Sequence, residues 1–169
     1  MKKLVLPVFI LLAFSATSQK KENIFITAEL YKTKGLSLVY NRMIPKTNIG
    51  VGAGLEFIDI STKKLGGIMP GLDARYYVNF GKSTLMPLAQ VGYNFYEYRY
   101  KISSSANEYK MEGGPSFSLG LGYSYKANAK GSGPYTALKY RSLQYKYNDP
   151  ALGGNKTTNQ LKVSIGWRF

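Results

Sequence analysis

The sequence contains no cysteine and no histidine. Without cysteine there is no disulfide staple, thiolate metal site, thiol nucleophile or lipid attachment at a cysteine. Without histidine the commonest general base and metal ligand are missing, and with them every serine/histidine or cysteine/histidine arrangement. Acidic side chains are scarce as well: nine Asp and Glu stand against 23 Lys and Arg, a formal charge of +14. Such an excess suits an anionic partner, and for an exported chain lipid head groups or lipopolysaccharide are expected before nucleic acid, which is not expected at all. Long apolar runs are lacking beyond Phe14, so no spanning helix is expected there.

The first run is informative in its own right. "MKKLVLPVFILLAFSATSQKKEN" sets a basic start (Lys2, Lys3) before an apolar stretch from Leu4 to Phe14 and a small-residue exit at Ala16, Thr17 and Ser18. This is the three-part pattern of a secretory signal, with cleavage expected after Ser18, and the apolar stretch is short of the roughly twenty residues a spanning helix needs. Residues 1–18 are read as a removed signal peptide and 19–169 as one domain.

What the sequence has in abundance is tyrosine (15) and glycine (18), a composition that suits strands. The stretch "QLKVSIGWRF" alternates strictly: Leu161, Val163, Ile165, Trp167 and Phe169 against Lys162, Ser164, Gly166 and Arg168. A period of two means a strand. The same period predicts seven more strands, in "NIFITAELY", "LSLVYNR", "IGVGAGLEF", "LDARYYVNF", a long segment from Leu85 to about Ile102, "SFSLGLGYSY" and "YTALKYRSLQYKY". The long segment changes phase and predicts a bulge near Phe95 and Tyr96. The seventh shifts phase near Arg141 and Ser142. "KTKG", "STKKLGG", the stretch from Ser103 to Gly114 and "NDPALGGNKTTN" read as loops.

Alternation alone leaves open which face lies inside. A soluble, lipocalin-like barrel binding a small apolar ligand would be apolar inside; a membrane barrel reverses that order. The less apolar face carries Gly, Ser, Asn and Gln with few charges of both signs: Glu29, Glu56, Asp73, Arg75, Lys139, Arg141, Lys162 and Arg168. A water-facing exterior would carry more Lys and Glu, whereas a narrow lumen needs small residues and paired charges. The turns "IPKTN" and "GKST" are short, as expected on the periplasmic side, where both chain ends would lie, with "KANAKGSG" between the sixth and seventh strands a longer exception. Aromatics on the apolar faces would then form two girdles. Tyr40, Phe80, Tyr123, Tyr125, Trp167 and Phe169 belong to the periplasmic one; Phe57, Tyr98, Tyr100, Phe117, Tyr145 and Tyr147 belong to the outer one.

A signal sequence, eight amphipathic strands and a last strand ending in Trp167, Arg168, Phe169 resemble the small bacterial outer-membrane β-barrels of the OmpA transmembrane-domain and OmpX type. The resemblance covers essentially all of residues 19–169. It implies an all-β, eight-stranded antiparallel up-and-down barrel in the outer membrane. It also implies that Leu161, Val163, Ile165, Trp167 and Phe169 are read by the barrel-assembly machinery. Tethering through a peptidoglycan-binding domain after Phe169 is not expected.

No catalytic, metal or cofactor site is expected. Barrel hydrolases and acyltransferases of this kind use histidine, and Asp59, Asp73 and Asp149 fall on separate segments. "GVGAG" at Gly50 to Gly54 lies within a strand and lacks the helix a phosphate loop requires. Eight strands leave a lumen that side chains fill, so the lumen charges are expected to pair, Glu29, Glu56 and Asp73 with Arg75, Lys139 and Arg141. The long fifth strand predicts a hairpin standing above the outer surface. Its Tyr98, Arg99, Tyr100, Lys101, Tyr109 and Lys110 are candidates for strand addition by an extracellular protein, the adhesin-like role that the OmpX resemblance implies. Lys32, Lys34, Lys63, Lys64 and Lys101 are candidates for attracting lipopolysaccharide.

Overall fold

The computed structural model describes residues 22–30, 34–60, 65–101, 108–128, 131–148 and 154–169; side chains at 59–60, 65–66, 98, 100–101 and 108 lie outside the description. The expected signal peptide and Lys32, Lys63 and Lys64 also lie outside the described residues. Ten strand segments follow in order: β1 (Glu22–Leu30), β2 (Lys34–Met43), β3 (Ile49–Ile60), β4 (Leu65–Tyr76), β5 (Val78–Phe80), β6 (Ser83–Tyr93), β7 (Glu97–Lys101), β8 (Glu108–Tyr125), β9 (Gly133–Tyr147) and β10 (Asn155–Arg168). β5 continues β4 past Tyr77, and β7 continues β6 past Asn94–Tyr96, so the ten segments make eight staves.

Each stave pairs antiparallel with its neighbours, β6 with β8, and β1 with β10. The seam is tied down to the last residue: Phe169 N–H donates to Ile24 C=O at 2.9 Å and Ile24 N–H to Phe169 C=O at 3.3 Å. The barrel is therefore closed, and closure removes the unpaired edges that an open sheet presents.

Local chemistry makes two turns at the chain-terminal end tight, while the β8–β9 connection there is longer. Between β5 and β6 the hairpin turns on Gly81 and Lys82, with Gly81 at φ 59°, the left-handed region that two-residue hairpin loops favour. Between β2 and β3, Thr47 Oγ1 donates to Ile44 C=O at 2.9 Å and accepts from Ile49 N–H at 3.1 Å, while Lys46 takes φ 61°.

The outward row on every stave is apolar, from Ile24, Ile26 and Leu30 on β1 round to Leu161, Ile165, Trp167 and Phe169 on β10. The interior holds Glu29, Glu56, Asp73, Arg75, Lys139, Arg141 and Lys162 with Ser, Thr and Asn. This is the reverse of a lipocalin-like arrangement, in which apolar faces line a cavity. A layer of Phe25, Val39, Tyr77, Met86, Leu88, Tyr135 and Ala137 forms one interior apolar cluster, and Ile58, Met69, Met111, Leu143 and Tyr145 form another.

Several expectations need correction. Lys34 and Gly35 belong to β2, Leu65, Gly66 and Gly67 to β4 and Asn155 to Asn159 to β10 rather than to loops, and β8 begins at Glu108, well before Gly114. The glycines that imitate turn signals are there to accommodate the break in β6/β7. A Cβ on Gly67 would sit 2.3 Å from Asn94 Oδ1, and one on Gly113 would sit 2.2 Å from Asn94 C=O. The expected bulge near Phe95 and Tyr96 corresponds to that break, where Phe95 keeps a single bridge to Ile68.

β9 has no phase shift: burial alternates without interruption from Gly133 to Tyr145. What changes at Ser142 is the surroundings. Below it, outward residues are apolar (Leu138, Tyr140) and inward ones charged (Lys139, Arg141); above it, Ser142, Gln144 and Lys146 face out while Leu143 and Tyr145 face in. Asn159, Thr157 and Asn155 continue the polar outer face on β10. Tyr145 is thus 6% exposed and interior, and Tyr147 packs against the same inner cluster, so neither belongs to an outer girdle. Tyr93 and Phe95, rings 5.0 Å apart, take that level with Phe57 and Phe117. The other end carries Phe80, Tyr123, Tyr125, Trp167 and Phe169 on its outer face, with Tyr40 half-buried.

Candidate functional site

Alternation places every acid and base of the lumen on the inward parity of its strand, and the closed barrel brings strands distant in sequence face to face. Glu29 on β1 accepts from Lys139 Nζ at 2.7 Å, Ser164 Oγ at 2.8 Å and Thr27 Oγ1 at 3.1 Å. Glu56 on β3 takes a two-pronged bond from Arg141, Nη1 at 2.6 Å and Nη2 at 2.5 Å, and a further bond from Lys162 Nζ at 2.5 Å. Lys162 stands 4.0 Å from Glu29 and so links the two groups. Arg141 Nε also donates to Ser118 Oγ at 3.0 Å.

A second cluster is centred on Asp73. Its Oδ1 accepts from Arg75 Nε at 2.7 Å and Asn41 Nδ2 at 2.9 Å, and its Oδ2 from Gln90 Nε2 at 2.8 Å and Arg75 Nη2 at 3.1 Å. The Arg75 guanidinium lies 3.7 Å from the Phe25 ring centroid and donates from Nη1 to the Tyr135 hydroxyl at 3.2 Å. Tyr77 donates to Asn41 Oδ1 at 2.9 Å. Arg168 stands apart from the acids: it bonds Asn23 Oδ1 at 2.8 Å and Ser124 Oγ at 3.0 Å and lies over the Tyr77 ring. The neutral partners Thr27, Asn41, Ser118, Ser124, Tyr135 and Ser164 were legible only as small or polar residues on the same parity as the charges.

This arrangement fills the lumen. A cavity of about 30 Å³ remains between Glu56 and Asp73, bounded by Ser37, Gln90, Ser116 and Ser118. That is room for about one water. Each of the buried acids Glu29, Glu56 and Asp73 has a cationic partner, as burial in a low-dielectric interior demands. No group of three or more potential metal-ligating side chains occurs among the described residues.

The hairpin is the second candidate region. β8, at 18 residues, rises about 40 Å when tilted by 45°, against an apolar belt about 25 Å tall. β7 pairs with β8 alone among the described strands, Glu97 opposite Glu112 through Lys101 opposite Glu108. On its exposed face Lys110 Nζ contacts Glu97 at 3.1 Å and Glu112 at 2.6 Å, and Arg99 Nε contacts Glu97 at 3.0 Å. Hydrogen bonds from Lys110 and Arg99 hold the Glu97 carboxyl below the ordinary carboxylate range; bonds to Glu112 and Glu97 push Lys110 above the ordinary lysine range. Beyond the hairpin's base, Lys110 N–H donates to Asn148 Oδ1, and Asn148 N–H donates to Lys110 C=O at 3.0 Å. Tyr109 is partly buried on β8; Tyr98, Tyr100 and Lys101 are placed on β7 by backbone only.

The proposed assembly residues form the outward face of β10: Leu161, Ile165, Trp167 and Phe169 are exposed and Val163 is half-buried.

No family profile and no curated protein sequence matches the chain. Among solved structures it is similar to a major outer membrane protein of Thermus thermophilus, at 14% identity and a TM-score of 0.55, covering 88% of this chain and 98% of that one. It is also similar to the N-terminal β-barrel domain of Pseudomonas aeruginosa OprF, at 16% identity and a TM-score of 0.48, covering 89% and 98%. At these identities the likeness concerns the fold: the chain shares the barrel fold of the Thermus protein and forms a closed eight-stranded antiparallel barrel.

Proposed function

We propose that the protein is a non-catalytic component of the bacterial outer membrane with a structural or surface-interaction role. The observation that carries this reading is the inversion of polarity: an apolar belt faces outward on all eight staves around a lumen closed by paired charges. In water such a belt would be a large aggregation-prone surface; in a bilayer it is the required exterior. Both chain ends then lie at the periplasmic side, and the strands that outrun the belt project outward.

The finer reading assigns contact with the surroundings to the β7–β8 hairpin, through backbone pairing with an extended segment of an extracellular protein. Its alternating charges Glu97, Arg99, Lys110 and Glu112 would select a partner strand of complementary charge. Lipopolysaccharide is the proposed lipid partner, and the barrel-assembly machinery the proposed partner during insertion, reading Leu161 to Phe169.

The test of the main reading is fractionation. Recovery in the outer membrane, with a gel mobility that changes on boiling, is expected; release as a soluble monomer overturns it. Adhesion is tested by binding of labelled host matrix proteins to cells carrying the full chain or a chain lacking residues 97–112. Equal binding removes the adhesin role and leaves the structural one.

A further inference from the structure

One place on the outward face differs from the rest of the belt. Across β2, β3, β4 and the break between β6 and β7 the register aligns Leu36, Phe57, Ile68 and Phe95 in a single row. All four are exposed, from 46% at Phe57 to 61% at Phe95. The ladder between β4 and β6 is interrupted here: regular pairing ends at Gly71 and Gly92, and the next contact is the lone bridge from Ile68 to Phe95. Gly35, Ile58 and Gly67 form the adjacent row, which is of inward parity. The result is an open groove of about 670 Å³ lined by these residues and by Lys34.

Lys34 fixes the chemistry. It lies two residues beyond Leu36 toward the outer end of β2, on the same outward parity, and is exposed. It forms no ion pair among the described residues; Asp59 is its backbone partner across β3. An apolar channel at the outer limit of the belt, topped by a cation, matches a lipid whose acyl chain lies against the barrel wall and whose phosphate meets the lysine at head-group height.

We propose that this groove is a specific site for a phosphorylated, acylated lipid of the outer leaflet, the lipid A portion of lipopolysaccharide. The acyl chain packs along Leu36, Phe57, Ile68 and Phe95, and a phosphate pairs with Lys34. The proposal rests on the outer-membrane reading above, because only that orientation puts the groove in the lipopolysaccharide-bearing leaflet.

The test uses the chain from residue 19 onward, refolded into phosphatidylcholine nanodiscs doped with lipid A or phosphatidylglycerol, with retained lipids counted by native mass spectrometry. One lipid A per barrel is expected to survive extraction. Lys34→Glu is expected to weaken retention by about fivefold or more, the scale of one surface charge. Phe95→Ala should weaken it through the apolar wall. Lys126→Glu, at the opposite end, should leave it unchanged. The boiling-dependent gel shift of each variant reports that the barrel is intact. Unchanged retention in both Lys34→Glu and Phe95→Ala, or equal retention of phosphatidylglycerol, overturns the site while leaving the membrane barrel standing. Failure of the parent chain to insert overturns the membrane reading, and the site with it.

Discussion

Glu56 anchors two buried cations, since Arg141 and Lys162 both donate to it and Lys162 links it to Glu29. Removing one member of a buried pair strands the others, at a cost of about 3–5 kcal/mol. Glu56→Gln should therefore lower the unfolding free energy in detergent or lipid vesicles by about that amount, read as the shift of a urea titration. A Glu56→Met, Arg141→Met pair should cost less than the two single changes summed, because it removes the partner as well as the charge. Most of this cluster was legible, since the three acids and four of the cations fall on inward parity. Arg168 shares that parity but is held by Asn23, Ser124 and the Tyr77 ring. Parity gives a residue's face, while its partner depends on which strands meet across the lumen.

At the scale of the element, the β7–β8 hairpin carries exposed ion pairs whose contribution to stability responds to pH. Glu97 is depressed, so its contribution is present above the ordinary carboxylate range and is lost as pH falls through its lowered value. Lys110 is raised, so its contribution is present below the ordinary lysine range and is lost as pH rises through its raised value. The hairpin should hold constant through neutrality and loosen at both extremes, modestly, because these pairs are exposed. Amide exchange at 97–101 and 108–112, corrected for its intrinsic pH dependence, checks this; Glu97→Gln should abolish the acid limb. The reach of these strands was less legible than their existence. In β9 the apolar residues switch from outward Tyr140 to inward Leu143, so a sequence reading that equates apolar with outward finds a phase shift. The backbone runs on unchanged; under the proposed membrane placement it is the medium around it that changes from lipid to water.

At the scale of the whole molecule, the lumen is packed by its charged clusters and their neutral partners, with a cavity of about 30 Å³ between Glu56 and Asp73. Purified protein in a planar bilayer should show no steady, reproducible conductance. Shortening the chain by Phe169 removes two closing backbone bonds with Ile24 and one outward aromatic; outer-membrane assembly should fall, and unimpaired assembly would remove the address role of that residue. The closed antiparallel topology followed from period-two patterning and hairpin order, because neighbours in sequence pair in space throughout except at the seam. That seam also sets how the protein must fold. Its partners, such as Ile26 and Trp167, lie at opposite ends of the sequence, so the loop-closure entropy falls on the last ladder to form. Trp167 is the sole tryptophan. Its fluorescence during refolding therefore follows the seam itself and times the completion of the ring, with no label added.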